Sequence, residues 1–236
     1  MVKKTLDDLI VNGICEDIYK AETAYLMFEV IAEHATTINQ RSNGNYGSVF
    51  GTVQMSLQTE LVMALGRIFD KRDKRNSTRC LDELLQQIVT HKDRLLNIEE
   101  PYQLEKLLEH RNAPKYLLDC IKNEPSEFPN LLRCYVDNEI KNTETRDKIR
   151  NLRNIRNKRF AHNDIVIKDK SIPDWESIES ILELAKFAVA AIGAAYLSTI
   201  YQVDGTFFLT KDAKRPSLGM KRLLKKIYGN SSGGKA

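Results

Sequence analysis

Residues 187–197 read FAVAAIGAAYL, which is the longest uncharged apolar run in the 236-residue chain. A helix that spans a bilayer needs about 20 apolar residues, so this run is too short to cross one and is typical of a buried helix. Its alanines and its glycine have small side chains that let neighbouring backbones approach closely. We therefore expect residues 175–201 to form a long helix, either at the centre of a helical bundle or in an interface between subunits.

Two earlier stretches show the same helical character. Apolar residues step by threes and fours from Ile10 to Ala32, and again from Val49 to Ile68. This spacing places them on one face of an α-helix. The glycine-containing stretch RSNGNYG at 41–47 separates the two predicted helices.

The remaining segments complete an all-α pattern. We expect shorter helices between residues 79 and 123, one long polar helix from Leu131 to His162, and a basic amphipathic helix over 217–228. The chain has only 11 Gly and 6 Pro, which leaves few turn signals for a many-stranded sheet. The predicted fold class is all-α, a bundle of three to four long helices with a smaller helical insertion.

The length and composition indicate an ordinary globular protein. We predict one domain over residues 1–228, with the helical insertion at about 79–125, and a disordered tail at 229–236. The N-terminal MVKKTLDDLI turns acidic before an apolar segment forms, so we expect no signal peptide and no membrane association. The four cysteines lack a C-x-x-C pair, which favours reduced thiols and a cytoplasmic location.

The positive charge of the chain is concentrated in two segments, although the net charge is only +4. Residues 141–159 contain eight Lys or Arg against two acidic residues, and 211–226 contain seven against one. Arginine predominates in the first segment, and its planar guanidinium can bind phosphate through two hydrogen bonds. The alternative is a solvated helix face whose cations stabilise the end of the helix.

The first basic segment ends in RNIRNKRFAHND, residues 153–164. Arg156 and His162 have five residues between them, and Asn157 follows the arginine. This R-x5-H pattern, the surrounding IRNKRFAHND and the stretch LVMALGRIFDKRD at the end of the second helix resemble the HEPN superfamily, in its abortive-infection AbiU-type branch. The resemblance implies a helical bundle that forms a homodimer. It also implies a metal-independent endoribonuclease with no cofactor.

Helix geometry limits how Arg156 and His162 can meet. Six residues of regular helix separate them by about 9 Å along the axis and put them on different faces. Either the chain leaves regular helix before His162, or the two side chains meet in a pocket shared with another subunit. Arg159 is the better neighbour of His162 on a continuous helix, so it could hold phosphate instead of, or together with, Arg156.

These residue types suit the cleavage of RNA. Histidine titrates near neutral pH, so His162 can exchange a proton with the ribose 2′-OH or with the leaving oxygen. Arg156 can stabilise charge that develops on the phosphate. Asn157 could orient the histidine or bind a phosphate oxygen, and Asp164 could fix the imidazole tautomer or cap a turn. Alternatively, His162 is a structural histidine at a helix end.

Three further basic residues, Arg150, Arg153 and Lys158, are expected to bind the RNA backbone. One histidine supplies either a base or an acid, so a second copy in a two-fold dimer could complete the pair. If the protein is toxin-like, its expected partners include an antitoxin or another regulatory protein besides RNA and a second copy. The spacing of the histidines and cysteines predicts no metal site.

Two hypotheses follow from the sequence. The first is a toxin-like endoribonuclease of the HEPN type that leaves 2′,3′-cyclic phosphate ends and serves in phage defence. The second is a helical module that binds RNA or a protein through the same basic surfaces without catalysis. Cleavage depends on His162, whereas electrostatic binding depends on the number of Lys and Arg residues.

Overall fold

The computed structural model describes residues 2–41, 46–73, 75, 78–157 and 175–228, and its regular structure is almost entirely helical. The helices are α1 (Val2–Leu9), α2 (Cys15–Glu33), α3 (Ala35–Arg41), α4 (Gly47–Ile68), α5 (Leu81–Thr90), α6 (Pro101–His110), α7 (Lys115–Asn123), α8 (Phe128–Lys141), α9 (Thr143–Ile155), α10 (Trp175–Tyr196) and α11 (Lys214–Tyr228). A π-helical segment (Ile10–Ile14) joins α1 to α2, and 3-10 turns lie at Lys92–Arg94 and Pro125–Glu127. Strands β1 (Gln202–Val203) and β2 (Thr206–Phe207) form a small hairpin. The predicted all-α fold class is confirmed.

The long polar helix predicted from Leu131 to His162 was wrong, because the structure divides it at Asn142. Asn142 has an extended ψ of 135°, and its side chain accepts a hydrogen bond from the Glu144 amide at 3.1 Å. An asparagine in this position caps the next helix by satisfying an amide that has no partner within it. The chain therefore ends α8 and begins α9 within three residues.

The described chain forms two compact units. One contains residues 1–18 and 65–209, and the other contains residues 19–64 and 210–236. Helices α2 and α4 contribute residues to both. The single domain over 1–228 stays a prediction, and the tail at 229–236 lies outside the described residues.

Helix α10 forms the core of the first unit. It packs against α6, α8 and α9, and its residues from Phe187 to Tyr196 are almost all buried. The small residues Ala188, Ala191 and Ala195 are completely inaccessible to solvent, which agrees with the expected close approach of neighbouring helices. None of the described helices is long and apolar enough to cross a membrane.

Aromatic and backbone contacts fix α10 to its neighbours. The rings of Tyr135 on α8 and Phe187 on α10 pack edge to face with centroids 5.6 Å apart. At the C-terminal end of α10, the amides of Glu99 and Glu100 donate to the carbonyls of Ala195 and Ala194 at 3.0 and 3.1 Å. These bonds satisfy carbonyls that have no partner inside a helix.

The β-hairpin turns at Asp204 and Gly205, which both have positive φ angles, 47° and 78°. Two successive positive φ angles in a two-residue hairpin define a type I′ turn, for which Asp-Gly is a preferred sequence. A β-carbon at Gly205 would lie 2.7 Å from Nε2 of His110. The turn therefore lies directly against the C-terminal end of α6, and only glycine fits there without displacing the histidine.

The second unit has its own apolar cluster. Five buried residues from three helices form it, namely Val30, Ile31, Ile38, Leu224 and Tyr228, with partly buried side chains of α4 and Met220 packed against them. Helix α11 contributes one face to this cluster and exposes its six Lys and Arg residues. Of these, Lys221 pairs with Glu33 at 3.6 Å.

The four cysteines are free thiols, but they differ in their surroundings. Burial raises the pKa of the Cys15 thiol to about 12, whereas Cys134 is exposed. Because the thiolate is the reactive form, Cys15 remains a protonated, unreactive thiol at pH 8. We expect iodoacetamide to alkylate Cys134 well before Cys15 in the folded protein, and peptide mass spectrometry measures both. In the unfolded protein the two cysteines should be alkylated at similar rates. Equal alkylation rates in the folded protein would contradict the burial of Cys15.

Candidate functional site

The candidate site lies where the C-terminal end of α9 meets the C-terminal end of α4. Two arginines of α9 and Arg156, the residue that follows the helix, were predicted to act there or nearby, and the structure gives each a different environment. Arg150 is exposed and pairs with Asp147 at 3.2 Å within its own helix. Arg153 is half-buried and donates from Nη2 to the backbone carbonyl of Phe69. Arg156 reaches Asp70.

Arg156 is held by two described partners. Its Nη1 lies 2.7 Å from Oδ1 of Asp70, and its Nε donates to Oδ1 of Asn157 at 3.2 Å. The side chains of Arg156 and Asp70 are 19% and 33% exposed, so the ion pair is partly shielded from water. Nη2 of Arg156 makes no hydrogen bond to another described residue. The arginine is thus fixed in place while one of its nitrogens keeps its capacity to donate.

A glycine makes room for the Arg156 side chain. A β-carbon at Gly66 would lie 2.8 Å from Cδ and 3.0 Å from Nη1 of Arg156. Gly66 lies in the last turn of α4, and Asp70 follows two residues after the end of that helix. Gly66 therefore supplies space and Asp70 supplies a carboxylate, and we call this arrangement the Arg156 slot.

The Arg156 slot lies at the C-terminal end of α4, which is a favourable place for cations. Helix C-termini carry a partial negative charge on carbonyls that lack partners within the helix. The guanidinium of Arg153 satisfies one such carbonyl, that of Phe69. Arg67 also lies in the last turn, but it pairs instead with the buried Asp17, whose Oδ1 lies 2.7 Å from its Nη2. Arg67 therefore joins α4 to α2 and takes no part in the slot.

Four of the predicted site residues cannot be placed in this geometry. Lys158, Arg159, His162 and Asp164 lie outside the described residues. Of the others, Arg156 and Asn157 are adjacent and hydrogen-bonded, and Arg153 contacts the same helix end as Arg156. The assignments of Arg156 and His162 to catalysis, and of Arg150, Arg153 and Lys158 to RNA binding, stay predictions.

The sequence hypothesis did not name Gly66 or Asp70 as parts of the site. The signal was present in LVMALGRIFDKRD, where a glycine and an aspartate stand four residues apart at the end of a predicted helix. Within the described part of the chain, no three His, Cys, Asp or Glu side chains are grouped as ligands for one metal ion.

Arg153 and Arg150 form a matched pair for testing the structural contact. Arg153→Ala removes a charged donor from the Phe69 carbonyl, and we expect it to lower the free energy of unfolding by about 1–3 kcal/mol. Arg150→Ala removes an exposed ion pair and should change the free energy of unfolding by less than about 0.5 kcal/mol. Urea denaturation of the two variants and the parent measures both. Equal effects would mean that the Phe69 contact contributes nothing to stability.

The geometry of the slot gives a physical reason for the two sequence stretches that carry the resemblance, because one contains Gly66 and Asp70 and the other contains Arg156. A family model supports the same assignment, since the model of the HEPN family AbiU2 matches residues 4–215. No curated protein and no solved structure matches the chain. The family match supports a role associated with HEPN proteins and abortive infection. The chain belongs to the AbiU2 family of HEPN proteins.

Proposed function

We propose that this protein is a metal-independent endoribonuclease of the HEPN type that acts as a toxin in abortive infection. The observation that carries the proposal is the Arg156 slot, in which a partly shielded arginine is fixed by Asp70 while its Nη2 has no partner among the described residues. A guanidinium fixed in advance stabilises charge on a phosphate without having to reorganise during the reaction. The family assignment supports the same function.

The proposed reaction is an internal transfer within RNA. A neutral His162 accepts the proton of a ribose 2′-OH, and the 2′-oxygen forms a bond to the adjacent phosphorus. The bond from phosphorus to the 5′-oxygen breaks, and that oxygen takes a proton from a protonated histidine. The products are a 2′,3′-cyclic phosphate and a 5′-OH. Arg156 donates from Nη2 to a non-bridging phosphate oxygen while Asp70 holds the rest of the guanidinium.

A homodimer supplies both proton-transfer groups in this proposal. One His162 acts as the base and the second copy acts as the acid across a two-fold axis. Asn157, Arg159 and Asp164 support the site, and Arg150, Arg153 and Lys158 contact the RNA backbone. The protein acts in the cytoplasm, and an antitoxin or another regulatory partner restrains it.

The second candidate function is an RNA- or protein-binding module without catalysis. The exposed surface of α11 favours it, because six Lys and Arg residues face solvent there and the helix contains no acidic residue. A surface of this kind binds a polyanion through charge alone, with an affinity that falls as salt concentration rises. Such binding does not require His162.

Cleavage of RNA in excess EDTA tests the two candidates. We expect the wild-type protein to cleave a mixed RNA pool and to leave 2′,3′-cyclic phosphate ends, which end mapping by mass spectrometry identifies. His162→Ala should lower the cleavage rate by at least about 100-fold, because it removes the proton-transfer group. His91→Ala is the matched control, since His91 lies outside the proposed site, and it should cleave like the wild type.

Two outcomes would contradict the nuclease proposal. One is cleavage that is equal in the wild type and His162→Ala, which would indicate a contaminating nuclease or another site. The other is an absence of cleavage on a broad set of RNAs while both proteins bind RNA equally. The second outcome would support the binding module.

The Gly66→Ala variant tests the Arg156 slot without removing the arginine. Alanine favours helix over glycine by about 1 kcal/mol, so the variant should be as stable as the wild type or more stable. Its β-carbon would displace the flexible Arg156 side chain, and we expect the cleavage rate to fall by about 10- to 100-fold.

A second glycine of the same helix is the control for Gly66→Ala. Gly51 has no atom within 4 Å of the position that a β-carbon would occupy, so Gly51→Ala should retain full activity. Thermal unfolding and initial cleavage rates are measured for both variants. Wild-type activity in a folded Gly66→Ala protein would show that the position of Arg156 is not required.

A further inference from the structure

A polar cleft in the first unit is not used by the proposed nuclease. It lies between the C-terminal end of α6, the helices α8 and α10, and the β-hairpin. It comprises a cavity of about 480 Å³ and a neighbouring cavity of about 330 Å³. Leu107, His110 and Gln202 line both cavities. The larger volume falls within the range of small-molecule sites in proteins.

Gln202 brings a hydrogen-bond acceptor without a partner to this cleft. Its Oε1 is buried and has no hydrogen bond in the described structure. A buried polar atom without a partner costs free energy, so it calls for a functional explanation. The position of Gln202 is fixed, because it pairs with Phe207 across the hairpin and the Gly205 turn lies against His110. No described residue therefore provides a hydrogen-bond donor for this oxygen.

Charges of both signs line the larger cavity. The guanidinium carbon of Arg111 lies 5.6 Å from the ring centroid of Phe187, and Arg111 has no ion pair within the part of the chain that the structure describes. Glu139 likewise has no ion pair to a described residue. Glu183 is neutralised by Lys186, whose Nζ lies 2.7 Å from its Oε1. The two unpaired side chains thus contribute one positive and one negative charge.

We propose that this cleft binds a zwitterionic small molecule of the α-amino-acid class. The ligand's carboxylate binds Arg111, whose planar guanidinium suits a carboxylate. Its ammonium group donates to the Glu139 carboxylate and to Oε1 of Gln202, which supplies the missing donor. Its side chain occupies the rest of the larger cavity.

The balance of charge selects this ligand class over a nucleotide. The phosphate of a nucleotide carries more negative charge than Arg111 neutralises, and it would lie in the same cavity as the Glu139 carboxylate. A zwitterion instead matches Arg111 and Glu139, the two side chains of the larger cavity that have no ion pair to a described residue. The site is separate from the Arg156 slot, so the inference does not depend on the nuclease proposal.

Calorimetric titration of the full-length chain with the common α-amino acids tests the proposal. We expect at least one of them to bind. For each ligand that binds, its amide and its N-acetyl derivative should bind at least about tenfold more weakly, because each lacks one of the two charges. Inorganic phosphate and the nucleoside monophosphates are titrated in parallel and should not bind in the cleft.

Three substitutions and one control locate the binding. Arg111→Gln and Glu139→Gln should each raise the Kd by at least about tenfold. Gln202→Leu should weaken binding similarly while leaving the unfolding temperature equal or higher, because it removes an acceptor that has no partner in the free protein. Arg94→Gln changes an exposed arginine outside the cleft and should bind as the wild type does. Circular dichroism verifies that each variant is folded.

Four results would overturn the proposal. In the first, no amino acid binds, and in the second, the amide and the N-acetyl derivative bind as tightly as the amino acid itself. In the third, a nucleoside monophosphate binds more tightly than any amino acid and Arg111→Gln abolishes that binding. In the fourth, a folded Arg111→Gln protein still binds the amino acid. If Gln202→Leu lowers the unfolding temperature but leaves the Kd for the amino acid unchanged, Gln202 has a structural role and takes no part in binding.

Discussion

The burial of α10 is the constraint on which the first unit depends. Its small residues allow α6, α8 and α9 to pack closely around one apolar helix, and the amides of Glu99 and Glu100 satisfy carbonyls at its end. Burial of this much apolar surface is the main favourable term in folding. Because α9 packs on α10, the end of α9 is held where Arg153 and Arg156 reach the end of α4. The candidate site is thus a consequence of the core.

The arginines near the end of α4 illustrate how the same residue type serves different purposes. Arg67 pairs with a buried aspartate, and Arg153 binds a backbone carbonyl. In each contact the guanidinium donates to an acceptor inside the fold, which offsets the cost of burying that acceptor. Arg156 is held by Asp70 and Asn157 through two nitrogens, and its third nitrogen has no partner in the part of the chain that the structure describes. Partial satisfaction of this kind is what a preorganised phosphate-binding group requires.

The cleft beside the hairpin also contains polar groups that have no partner among the described residues. Most polar groups within a folded protein have partners, so those without one indicate where a ligand can be recognised. Gln202, Arg111 and Glu139 line one cleft, and within the described part of the chain the Oε1 of Gln202 has no hydrogen bond and the two charged side chains have no ion pair. The backbone that holds Gln202 is constrained by the Asp204–Gly205 turn. The Arg156 slot and the cleft thus share one feature. In each, a side chain on well-packed backbone has a polar atom without a partner among the described residues.

The sequence by itself determined the all-α class, the buried character of the alanine-rich helix and the family. Each of these depends on local spacing or on short motifs, which the linear pattern of residues contains. The sequence also contained the Asn142 cap, but the hydrophobic period across it concealed the break between α8 and α9. Only the tertiary structure decided that Gly66 and Asp70 receive Arg156, and that Gln202 and Arg111 line the same cleft. Asp70 and Arg156 are 86 positions apart in the chain, and their contact exists because α4 and α9 end at the same place in the folded unit. No local pattern encodes such a meeting, since it depends on how several helices pack together around α10.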